Sequence, residues 1–308
     1  MKDKGLIMNY DDKIKQLKES PLFNLSLSSK ELFHSNFIAW ICNNYATEFG
    51  ILLVEQFKLD IQNKKIVSAK RESKNLDLVI DFERKKLVIE NKVKSIPNKE
   101  QLIEYKNRNG QNNTYILLTL VEPNFNLHDI GWNLLTYKTL SNLLEQISTK
   151  VFLDYHQAII NDYVNFINIL SDLTNLMIID FKNGFFDFYG KDYRLFHNVR
   201  LHDLYLKNLY QKLIIEIKNY LQSKITSHEI ILGHRYNHSI NRNQIVINTT
   251  IVNGKGIVNI DFSNEDEIIY GIMLDANRYN QYVYAWGEKA TNITETANNI
   301  LINKIWFK

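Results

Sequence analysis

Two short stretches of this 308-residue sequence carry side chains that could do chemistry together: Asp77, and the triplet Glu90-Asn91-Lys92. In an extended strand side chains alternate between faces, so Glu90 and Lys92 share one face and Asn91 takes the other. A turn centred on Arg84 and Lys85 would pair Asp77 with Lys92 and Val79 with Glu90, so that three charged groups converge on one face. Asp81 lies on that face too, but it would pair with Val88 near the turn. Four residues separate it from Asp77, about 13 Å along a strand, too far to share a cation with Glu90. A slip of one residue would send Asp77 to the opposite face.

Two carboxylates and the backbone carbonyl of the intervening Asn91 suit a hard, oxygen-seeking cation such as Mg²⁺, with Mn²⁺ as its substitute. Asp77, Glu90 and Asn91 are therefore candidate metal ligands. A lysine at position 92 could orient or deprotonate a water and offset the negative charge developing on phosphorus. That chemistry is phosphodiester hydrolysis. The plainer explanation is a set of cross-strand ion pairs, which contribute little. Spacing by itself does not choose between the two.

Apolar periodicity supplies the elements that must position these residues. Ser28 or Ser29 followed by Glu31 and a 3.6-residue stripe through Phe33, Phe37, Trp40 and Ile41 predicts one helix to about Phe49. Three β-rich runs follow at 65–71, 76–82 and 87–93 and read as a meander. Residues 98–109 read as helix, 114–121 as a buried strand and 137–147 as helix. The order is helix, three strands, helix, strand, helix. Beyond it, 151–173 and 200–223 have helical spacing. Residues 228–232, 244–252, 256–262, 268–274 and 281–286 alternate like antiparallel strands, and 292–303 reads as a closing helix. The expected division is a core over 1–150, a helical extension over 151–225 and a β-rich region over 226–308.

The stretch Asn75-Leu76-Asp77-Leu78-Val79-Ile80, then Val88-Ile89-Glu90-Asn91-Lys92-Val93, then Gln101-Leu102 with Tyr105, resembles the PD-(D/E)XK nuclease superfamily. Glu31, His34-Ser35, Trp40 and Arg71-Glu72 resemble one bacterial family within it. The resemblance is good over 21–147, weakens towards Ser223 and leaves the C-terminal quarter unplaced. It implies a restriction-endonuclease-like α/β fold, with an αβββαβ core and a mixed sheet. It also implies metal ligation by Asp77 and Glu90, Lys92 as the catalytic lysine, Glu31 completing the site and Gln101 facing the same centre. The proline of the superfamily's name is replaced by Leu76, as in many members. The spacer before the following helix, acidic in the family, is basic here from Lys94 to Lys99.

Supporting residues each carry a second explanation. Glu31 and His34 share a helix side, but Glu31 also suits a first-turn carboxylate favoured by the helix dipole. Glu72 could neighbour the site or pair with Arg71, and Tyr105 could simply pack. Lys70, Arg71, Lys74, Lys94 and Lys99 could hold phosphates without reading sequence, or could be solvated charge. His228, His234 and His238 lack a zinc-helix pattern. Gly254-Lys255-Gly256 reads as a hairpin turn, Tyr282, Tyr284 and Trp286 as strand packing, and Cys42 as helix packing.

Charge supports a polyanion partner only locally. Residues 58–108 hold 14 Lys/Arg against 8 Asp/Glu, so a net of +6 there underlies the +3 of the whole chain. Eleven glycines, one cysteine and 45% apolar residues exclude collagen-like, disulfide-scaffold and disordered classes. A lone cysteine and short apolar runs give the expectation of a cytoplasmic protein with no membrane partner. The combined expectation is a Mg²⁺-dependent nuclease for DNA in preference to RNA, in a defence or restriction-like setting, with room for a partner protein or a homodimer. The alternatives are a non-catalytic binding module that keeps the nuclease fold, and a subunit that a partner activates.

Overall fold

The computed structural model describes residues 10–176 apart from 28, 29, 74, 75, 94–96 and 124, then 191–205 and 208, and six strand segments between 230 and 290. Compactness divides the chain into one unit of residues 1–176 with 195–204 and a second of 177–194 with 205–308.

The first unit opens with α1 (Tyr10–Glu19) and α2 (Pro21–Ser26), two short helices that the periodicity above does not single out. Pro21 starts α2 where a missing N–H does no harm, and the Ser20 hydroxyl accepts the Phe23 N–H. The expected single first helix is in fact two. α3 (Lys30–Asn44) and α4 (Ala46–Gln56) meet at a bend of 113°, because Tyr45 leaves helical geometry at φ −128° and ψ 45°. Gly50 lets α4 approach the next segment: a Cβ there would stand 2.0 Å from the Lys64 carbonyl oxygen.

Five strands form a mixed sheet in the order β1-β2-β3-β4-β5, with ranges Ser68–Ser73, Leu76–Asp81, Lys86–Lys92, Thr114–Thr119 and Trp132–Thr136. The first three are antiparallel neighbours, while β3-β4 and β4-β5 run parallel. α5 (Lys99–Asn109) makes the crossover from β3 to β4, and its start is fixed by Asn98, whose side chain accepts the Gln101 N–H. The αβββαβ order expected from periodicity is therefore present as α3-β1-β2-β3-α5-β4. It is extended by β5 and α6 (Tyr137–Ser148), which Thr136 caps. β5 escapes a periodicity reading because Leu134, Tyr137 and Leu140 continue helical spacing straight through the strand end.

Register differs from expectation by two residues. Leu78 pairs with Ile89, Val79 with Val88, Ile80 with Leu87 and Asp81 with Lys86. The two-residue turn is Glu83-Arg84, closed by the Phe82 N–H donating to the Lys85 carbonyl at 2.9 Å, with Glu83 at φ 68°. A shift of two preserves the face of every side chain. One step beyond Leu78–Ile89, Asp77 stands opposite Glu90 instead of Lys92, and Asp81 meets Lys86 at 3.6 Å instead of Val88.

One sheet face is covered by α3, the other by α5. Leu102 of α5 packs with Val88, Tyr115, Leu117 and Trp132, and the Trp132 indole N–H donates to the Leu102 carbonyl. α7 (Asp154–Leu176) packs on α1, α2 and α6 in the same unit, and α8 (Lys191–Asn198) follows it in the chain.

The second unit holds an antiparallel sheet of β6 (Ile230–Ile231), β7 (Asn237–Ser239), β8 (Gln244–Ile251), β9 (Gly256–Asp261), β10 (Ile268–Met273) and β11 (Glu288–Ala290). Within the alternating runs at 244–252, 256–262 and 268–274, the described residues are strands. The strand expected at 281–286, the helix at 292–303, most of the helix at 200–223, His228, His234 and the Gly254-Lys255 turn lie outside the described residues. Among the described residues no single helix is long and apolar enough to cross a membrane.

Candidate metal and nucleic-acid site

Strand alternation and the observed register put Asp77, Glu90 and Lys92 on one sheet face, at the end of β3 away from the turn. The Lys92 ammonium donates to Glu90 Oε1 at 2.8 Å, and the two side chains are only 12% and 3% exposed. Asp77 Oδ2 accepts the Asn91 N–H at 2.7 Å. Glu90 Oε2 is buried with no hydrogen-bond partner. An ionised carboxylate oxygen left bare in this way is costly.

The electrostatics follow from that crowding. Burial, with the neighbouring Asp77 and Glu31 charges, pushes Glu90 up to about 7 against the pull of Lys92. Burial also raises Asp77, although the Asn91 N–H and Lys92 oppose it. Burial alone would depress Lys92, but Glu90, Glu31 and Asp77 outweigh it and hold the ammonium above its ordinary range. Three carboxylates thus act on one another and on one lysine. Glu31 takes part from the first turn of α3.

Asn91 points the other way, as alternation requires. Its side-chain amide reaches the Glu31 carbonyl at 2.9 Å and the Ser35 hydroxyl at 3.3 Å, and accepts from the Tyr137 hydroxyl at 2.6 Å. Only its backbone carbonyl is left as a metal donor. His34 belongs to the core: its Nδ1 meets the Tyr163 hydroxyl at 2.8 Å, and burial pulls it down to about 3, so it is a neutral imidazole. The Gln101 amide donates to Tyr105 on its own helix at 2.7 Å, not to the carboxylates. Cys42 is buried, and its thiol is pushed up by burial, as packing requires.

The basic residues separate by face. Lys70 is exposed on β1 opposite Val79, hence on the carboxylate face, whereas the exposed Arg71 stands opposite Leu78 on the α3 face. Lys99 is exposed at the start of α5, and Lys74 and Lys94 lie outside the described residues. A cleft of roughly 350 Å³ lined by 60–63 and 82–85 lies at the turn end of the hairpin, away from Asp77 and Glu90.

Among the described residues no three His, Cys, Asp or Glu side chains close around one ion. Mg²⁺ does not require three, since it binds through one or two carboxylates and keeps several waters. The bare Glu90 oxygen beside a second carboxylate fits such an ion. Tyr137 and Tyr163 are the polar contributors that spacing missed, because each sits in an apolar helical stripe and reads as core.

The family model described as the PD-(D/E)XK nuclease superfamily matches residues 22–165, just under half of the chain. Over residues 22–165 the chain is similar to the PD-(D/E)XK nuclease superfamily. The matched segment contains all five strands of the first sheet together with Glu31, Asp77, Glu90 and Lys92. That similarity implies nuclease chemistry in general terms, with a nucleic acid as substrate. No curated protein and no solved structure gives a significant match to the chain.

Proposed function

We propose that this domain is a divalent-cation-dependent nuclease that hydrolyses phosphodiester bonds of DNA in preference to RNA. The observation that carries the reading is the buried Glu90–Lys92 pair whose second carboxylate oxygen is bare beside Asp77. Asp77 and Glu90 would hold Mg²⁺ or Mn²⁺, with the Asn91 carbonyl and Glu31 as further oxygen donors. Such an ion supplies Lewis acidity and lowers the pKa of a bound water.

The chain's own residues do the rest. Glu90, raised by burial in the metal-free chain, must shed its proton to take a cation, so cation affinity should strengthen as pH rises. Lys92 enters as an ammonium, orients the attacking water and offsets charge on the phosphoryl oxygens. Gln101 shapes the approach from α5, and Lys70, Arg71, Lys74, Lys94 and Lys99 are proposed to hold phosphates. Residues 1–150 would act as the nuclease core. The helical part over 151–225 and the β-rich part over 226–308 would serve recognition, a partner protein or a homodimer. A cytoplasmic, restriction-like defence role fits this arrangement.

Plasmid, single-stranded DNA and RNA incubated with the purified chain in Mg²⁺, Mn²⁺ or EDTA test the reading. Cleavage in Mg²⁺ or Mn²⁺ that EDTA and Asp77→Ala both abolish is the expected result. Activity that survives Asp77→Ala or Lys92→Ala would sink the mechanism. Binding without cleavage would leave the non-catalytic module.

A further inference from the structure

The side chain between those of Glu90 and Lys92 is fully engaged. Asn91 is 1% exposed, and its polar groups reach three other elements. Its Nδ2 donates to the Glu31 carbonyl and the Ser35 hydroxyl of α3, at 2.9 and 3.3 Å. Its Oδ1 accepts from Tyr137 at the start of α6, at 2.6 Å. Its backbone N–H donates to Asp77 Oδ2 on β2, at 2.7 Å. The Glu31 carbonyl can only accept, so it fixes which end of the amide faces α3.

α3, β2 and β3 each bring one acidic residue, and like charges held close repel. Nothing in the strand ladder ties the start of α3 to β3. Asn91 makes that tie with its side chain while its backbone holds Asp77. The Tyr137 hydroxyl, delivered by the helix that Thr136 caps, holds the amide in the orientation that does both. Resting on the metal-dependent reading, we propose that Asn91, braced by Tyr137, is a positioning residue that sets the separation of Glu31 and Asp77 around Glu90 for a divalent cation.

Two nearly isosteric changes isolate the tie. Tyr137→Phe removes one hydroxyl and keeps the ring, whose edge packs on His34 at 5.1 Å. Asn91→Asp keeps the acceptor for Tyr137 but sets a carboxylate oxygen against the Glu31 carbonyl. The full chain is titrated with Mn²⁺ alone by calorimetry, beside wild type and Asp77→Ala. Outer partners of metal ligands typically affect metal affinity by 10–100-fold, so both variants should weaken Mn²⁺ binding by about tenfold or more. In EDTA, amide hydrogen exchange over residues 31–35 should quicken in both, because the tie exists without the ion. Half-saturating Mn²⁺ for cleavage should rise while the rate at saturating Mn²⁺ recovers for Tyr137→Phe, a split that general loss of fold does not produce. Wild-type Mn²⁺ affinity and wild-type exchange in both variants would overturn the positioning role. Mn²⁺ binding that Asp77→Ala leaves unchanged would remove the metal reading, and the positioning role with it.

Discussion

Strand β3 separates two buried polar clusters built on opposite rules. On one face stand Asp77, Glu90 and Lys92, charged, mutually repelling in part, and left with a bare Glu90 oxygen. On the other stand Asn91, Ser35 and Tyr137, with His34 and Tyr163 beside them, neutral and joined by hydrogen bonds of 2.6 to 3.3 Å. A neutral satisfied network rigidifies a core, whereas a half-satisfied charged one is costly and marks a site awaiting something. The same strand therefore presents the neutral network through Asn91 on one face and the charged cluster through Glu90 and Lys92 on the other. Alternation keeps the two apart.

Substitution on the charged face should separate activity from stability most sharply. Glu90→Gln keeps the shape, removes a buried charge and deletes a proposed cation ligand. Cleavage is expected to fall by at least about 10³-fold, the scale of losing one charge-stabilising group. Thermal stability in EDTA should hold or rise, because the like-charge crowding is relieved. On the neutral face the order reverses. His34→Ala opens a cavity and strips the Tyr163 hydroxyl of its partner, so denaturant unfolding should register a loss of about 2–4 kcal/mol. If Glu90→Gln destabilises as much as His34→Ala, the two clusters are not the opposites described.

The clusters also titrate with opposite sign. Glu90, raised from 4.5 to about 7, contributes stability that is fully present below 4.5 and is lost as pH rises through about 7; the raised Asp77 adds to the same direction. His34, lowered from 6.5 to about 3, contributes stability present above 6.5 that is lost as pH falls towards 3. Each single proton is limited to a slope of about 1.4 kcal/mol per pH unit. Between pH 4.5 and 6.5 the two oppose each other. Urea unfolding in EDTA should therefore show Glu90→Gln shifting the dependence towards rising stability with pH, and His34→Gln shifting it the other way. Identical pH curves for both variants would break the comparison.

Much of this is legible in the sequence, for a reason specific to strands. The side-chain period is two, so a turn misplaced by one residue moved the register by two and still left Asp77, Glu90 and Lys92 on a common face. Helical spacing found α3, α5, α6 and α7. It missed the bend at Tyr45, which is a backbone event, and β5, whose leucines continue a helical stripe. The Asn91–Tyr137 bond was illegible because a buried tyrosine in an apolar stripe looks like core until its hydroxyl finds a partner 46 residues away in sequence. Neutral buried polar pairs have no charge pattern to betray them.

The smallest expected effect tests whether the two faces differ for the substrate as well. Lys70 and Arg71 are adjacent, both exposed and both cationic, so composition cannot distinguish them. Register can: Lys70 shares the carboxylate face through Val79, and Arg71 shares the α3 face through Leu78. A lysine that neutralises one phosphate contributes about 0.9 to the salt slope on duplex DNA, and about 0.7 on a single strand. Lys70→Ala in a cleavage-dead Glu90→Gln background should lower the slope of log affinity against log salt by about that amount. Arg71→Ala should lower it by less, with unfolding unchanged in both, since neither side chain is buried. Equal losses from the two would mean that the nucleic acid wraps the β1 edge and reaches both faces, and the division made by β3 would then hold for the chemistry but not for binding.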